Sequence, residues 1–101
     1  MEPNESAPPE LRELHDLLRR LLLRVTRRAW ATPREMQMDA SRAIGLLPYA
    51  PPSVQAQLTP TLSGLIRELG QKRPDLYRHI VTLERVVVHL DERFGPPPSA
   101  V

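Results

Sequence analysis

No cysteine occurs anywhere in the chain, which excludes disulfide scaffolds, thiolate metal sites and cysteine nucleophiles, and the fold needs no oxidising compartment. Aromatic residues are almost as scarce: Trp30, Tyr49, Tyr77 and Phe94 are the full set, so a core must be built mainly from aliphatic side chains. Only four glycines are present, with no phosphate-cradling spacing, and no serine sits in a nucleophile elbow. No isolated carboxylate pair stands on an apolar face either, so an enzyme is not expected. The longest uninterrupted apolar runs, such as Leu21 to Leu23 and Val86 to Val88, span three residues, against the roughly 20 needed to cross a bilayer. The first sixteen residues are acidic, unlike the start of a signal peptide. The expectation is a soluble, cytoplasmic protein with no membrane partner and no cofactor.

What the chain does have is a globular composition, 41% apolar and 26% charged over 101 residues, enough for one small core and too little for two. Twelve prolines divide it, and they fall almost entirely between periodic segments. Residues 1–7 are polar and acidic without an apolar period and read as a disordered arm; Gly95 followed by Pro96, Pro97 and Pro98 reads as a helix stop and a stiff tail over 96–101. A single helical domain over 8–95 is left between them.

Four helices are expected in that domain. The first starts near Pro8 or Pro9, with Glu10 and Glu13 at the positive end of its dipole. It runs to about Ala31, because Leu11, Leu14, Leu18, Leu21, Leu22, Val25 and Ala29 fall within one stripe. Thr32, Pro33, Arg34 and Glu35 form a capping-box pattern that opens a second helix, with Met36, Ala40, Ala43, Ile44 and Leu47 on its apolar face and Pro48 at its end. Pro48 to Pro52 is an ordered corner. Beyond it, Leu62, Leu65, Ile66 and Leu69 carry helix up to Gly70, either as two pieces divided at Thr59 and Pro60 or as one kinked helix from Ser53. The last helix starts around Pro74 and Asp75 and ends at Phe94, with Leu76, Ile80, Leu83, Val87, Leu90 and Phe94 spaced as a heptad seam. The fold class is therefore all-α, a small four-helix bundle with a proline-rich corner between helices two and three.

A formal charge of +2 conceals an uneven distribution. Residues 1–16 hold five acids and one arginine, whereas 17–34 hold Arg19, Arg20, Arg24, Arg27, Arg28 and Arg34 and no acid. On a helical wheel the first five of these lie opposite the leucine stripe, a strip about 15 Å long at 1.5 Å per residue. Three readings compete for it: a solvated outer face, a docking face for an acidic protein partner, and phosphate binding to nucleic acid. The arginine-to-lysine ratio, thirteen to one, decides nothing, since a GC-rich genome produces the same bias.

Apolar residues off the main stripes are the second unusual feature. Leu23 and Trp30 lie among the arginines, and Tyr77, Val81 and Val88 lie together on the last helix, away from its seam. Either that helix runs through the centre of the bundle or its second face meets another subunit; symmetric pairing favours the subunit, making a homodimer.

Other patterns carry less. His15, His79 and His89 lack the spacing of a helical metal pair, and His89 with Glu92 lacks further ligands, so no metal site is expected. Leu14, His15, Asp16, Leu17 and Leu18 spell a leucine box, but Leu14 and Leu18 are needed for the core. Ala40 to Leu46 is similar to the end of the first helix of a helix-turn-helix, with Thr61 to Lys72 as the reading helix; a corner of about a dozen residues is too long for that turn. The function expected from these features is a non-enzymatic adaptor or regulatory protein. Arg20, Leu23, Arg24, Arg27, Arg28 and Trp30 bind an acidic partner, and Tyr77, Val81 and Val88 pair two copies. Nucleic acid on the same arginines is the alternative.

Overall fold

The computed structural model describes residues 8–27, 32–72 and 74–95. Four helices make up most of it: α1 (Pro9–Arg27), α2 (Pro33–Leu46), α3 (Pro52–Leu69) and α4 (Tyr77–Phe94), with a 3-10 turn at Leu47–Tyr49 between α2 and α3. The chain is an all-α four-helix bundle, and that turn followed by Ala50 and Pro51 is the proline-rich corner. Each helix packs chiefly on two neighbours, in the cyclic order α1, α2, α3, α4 and back to α1. Cross-helix contacts set the directions. Glu13 meets Arg42 and Arg24 meets Asp39, while Gln37 reaches Ile66 and His15 reaches Asp91; early residues of one helix face late residues of the next. The bundle therefore runs up, down, up and down, as short connections require.

One continuous core fills the centre. Leu14, Leu18, Leu21, Val25, Leu47, Leu65, Leu69, Leu83, Val87 and Leu90 are buried as their periods predict, while Ile44 and Ile80 pack only partly against the cluster. Val86 joins the α4 seam beside Val87. Leu17 and His15 are buried on α1, so its inward stripe is wider than the leucine spacing alone implied.

The capping box at α2 forms as the sequence predicts. Glu35 N–H donates to Thr32 Oγ1 at 3.2 Å, and Thr32 N–H donates to Glu35 Oε2 at 2.9 Å. Of the two arrangements open for residues 53–69, the single helix is the one adopted, with Pro60 inside it. Pro60 has no N–H to give to Ala56, a loss of ~3 kcal/mol in an unsupported helix. Fully buried Leu58 and Leu62 on either side hold the helix together through that break. α4 begins at Tyr77, later than Pro74 or Asp75: Leu76 is its N-cap residue without a side-chain cap, Leu76 C=O accepts the first helical bond from Ile80 N–H, and the Asp75 carboxylate accepts from Tyr77 N–H at 3.3 Å. Gly95 ends it at φ 82°, in the left-handed region that glycine enters without steric cost. The expected end of the first helix at Ala31 lies outside the described residues, as do the arm over 1–7 and the tail over 96–101.

Candidate functional site

Two faces of the bundle carry the residues singled out above. On α4, the seam turns Leu83, Val86, Val87 and Leu90 inward, which leaves the opposite side to solvent. Tyr77 is 75% exposed, Val81 40% and Val88 47%, on a helix that packs mainly against α1 and α3. α4 therefore lies on the outside of the bundle, and the central placement considered for it does not occur. Val81 and Val88 border a shallow surface groove together with Glu84 and Arg85.

On α1, the arginine strip divides by direction. Arg19 leans toward α4, where its guanidinium donates to Asp91 Oδ2 at 3.1 Å. Arg24 leans the other way and donates to Asp39 Oδ2 of α2 at 2.8 Å, with both side chains largely covered. Arg20, Leu23 and Arg27 stay on the exposed face between them, at the helical spacing of three and four, and Leu23 is 44% exposed. Arg24 thus serves the α1–α2 interface before it can serve a partner. Arg28 and Trp30, the other two residues expected in this face, lie outside the described residues.

A third group is not among those the sequence analysis singles out. His15 Nε2 donates to Asp91 Oδ1 at 2.7 Å, and Arg19 occupies the second carboxylate oxygen, so one carboxylate on α4 gathers two side chains one turn apart on α1. Burial holds the His15 imidazole below its ordinary range, and Asp91 opposes that shift without cancelling it. His15 is only 4% exposed, so no substrate reaches it. The group positions α1 against α4. A signal for it did exist: His15 stands four residues after Leu11 and three before Leu18, on the inward stripe, where a polar side chain must find a partner.

Among the described residues, no group of three His, Asp or Glu side chains could hold a metal ion, and no helix is long and apolar enough to cross a membrane. Compared with protein-family models, with curated proteins and with solved structures, the chain has no match.

Proposed function

We propose that this protein is a non-enzymatic interaction module of adaptor or regulatory type, which pairs with a second copy through α4 and presents α1 to an acidic protein partner. The observation that carries the reading is the row of Tyr77, Val81 and Val88. Single exposed apolar side chains are ordinary on any protein; three along one side of a helix whose other side already fills a core seam, with Glu84 and Arg85 beside them, form a second apolar stripe with no described residue over it. A second copy supplies a cover of the same chemistry, and two-fold pairing is the commonest way to assemble small proteins.

The α1 face supports the partner half of the reading. Arg20 and Arg27 flank exposed Leu23, which combines an apolar contact with guanidinium groups suited to carboxylates. Nucleic acid is the competing target for these arginines. Against it stands the commitment of Arg19 and Arg24 to Asp91 and Asp39, since two of the phosphate contacts would each have to break an ion pair. Recovery of partners from cell extract at low and high salt, with and without nuclease, separates the two. An acidic protein that survives nuclease and is lost on Leu23→Ala or Trp30→Ala fits the proposal, and nucleic acid as the only species recovered refutes it.

A further inference from the structure

We infer that the cleft between the second half of α3 and the start of α4 is a binding site for a phosphoryl dianion, either free phosphate or the phosphate of a small phosphomonoester. The cleft, about 400 Å³, is lined by Ser63, Gly64, Arg67, Arg78, His79 and Thr82 among others. No carboxylate lines it. Two guanidiniums, an imidazole and the hydroxyls of Thr61, Ser63 and Thr82 line one concave surface, which is the donor set that a phosphoryl group takes.

Three further observations bear on it. Arg67 and Arg78 have no ion-pair partner among the described residues, in contrast to Arg19, Arg24 and Arg42, each of which is held by an acid from a neighbouring helix. Glu68, next to Arg67 in the chain, accepts from the Asp75 backbone N–H at 3.2 Å. Next, His79 is seated directly on the α3 backbone. A Cβ at Gly64 would lie 2.6 Å from His79 Cε1, so only glycine at this position lets the ring settle into the wall of the cleft. Finally, the first turn of α4 contains no acid and holds Arg78 and His79. Arg78 opposes the positive end of that helix dipole, which the Asp75 carboxylate meets at Tyr77 N–H, and a bound anion adds to that offset.

Burial lowers the His79 imidazole from its ordinary value; Glu68 and Asp75 pull it upward and Arg78 downward, with Arg67 of α3 also lining the cleft. A dianion seated there adds a strong upward pull. This site is independent of the α4 outer face and of the α1 arginines, and its test leaves those readings untouched.

The experiment is an NMR titration of the full chain with inorganic phosphate and, separately, with methyl phosphate, each against sodium chloride at matched ionic strength. Saturable shifts confined to residues 60–67 and 78–82, with a rise in the His79 titration midpoint, are expected. The Arg67→Ala/Arg78→Ala variant should bind at least about tenfold more weakly. Both side chains are exposed, so this variant keeps the fold, and its thermal melt checks that. Saturation by both ligands assigns a phosphomonoester, and saturation by phosphate alone assigns the free ion. The inference fails if shifts grow linearly without saturation, if chloride reproduces them, or if they persist in the double variant.

Discussion

His15 and Asp91 stand 76 positions apart in the chain and 2.7 Å apart in space. Their bond joins the first third of α1 to the last turn of α4 and so closes the ring of four helices where its first and last members meet. Because burial lowers the His15 imidazole, the folded state prefers the neutral ring.

A pH dependence follows from that preference. The unfolded chain takes up a proton near pH 6.5, and the folded chain resists it until a lower pH. Stability conferred by the lowered value is fully present above 6.5 and is lost as the pH falls through the folded value. His79 is lowered too and contributes with the same sign. Urea melts between about pH 7.5 and pH 5 should show falling stability in the wild type, a shallower fall in His15→Gln, and the shallowest in His15→Gln/His79→Gln. Stability that is constant or rising toward pH 5 would contradict the account.

Core truncation tests the packing. Leu18 and Leu83 are fully buried in the central cluster, from α1 and α4, and neither site opens to solvent. Leu18→Ala or Leu83→Ala should each cost about 2 to 5 kcal/mol in denaturant unfolding. A loss near zero at either position would mean that the core is not packed as described.

The start of α2 gives a smaller and more local effect. Thr32 and Glu35 satisfy one another's backbone N–H groups, so Thr32→Ala should cost about 1 kcal/mol and Thr32→Ser should restore most of it. The pair of variants separates loss of the cap from loss of packing, because Thr32 is exposed.

Much of this architecture is legible in the sequence. Periodicity together with a cap or a stop is a local signal, and Thr32 to Glu35 or Gly95 carries the whole of it within a few residues. Pro60 was harder, since whether a proline divides a helix or merely bends it depends on the burial of Leu58 and Leu62, and that depends on the other three helices. A helical wheel places the arginines in one strip because it gives direction without neighbours. Only the placement of α2 and α4 on either side of α1 turns Arg24 toward Asp39 and Arg19 toward Asp91. The same reason hid His15. Its position on the stripe was visible, but its partner comes from the other end of the chain. The second apolar face of α4 is legible in the sequence, because Tyr77, Val81 and Val88 depart from a seam that the sequence itself defines, but its exposure is not, since a central helix has the same pattern.

The central claim is that this side of α4 joins two copies, and the mass of the protein in solution tests it most directly. Sedimentation equilibrium at concentrations on the order of tens of micromolar should give a dimer for the wild type and a monomer of unchanged helix content for Val81→Glu. A wild type that is monomeric there, or a Val81→Glu variant that retains the wild-type mass, would contradict it.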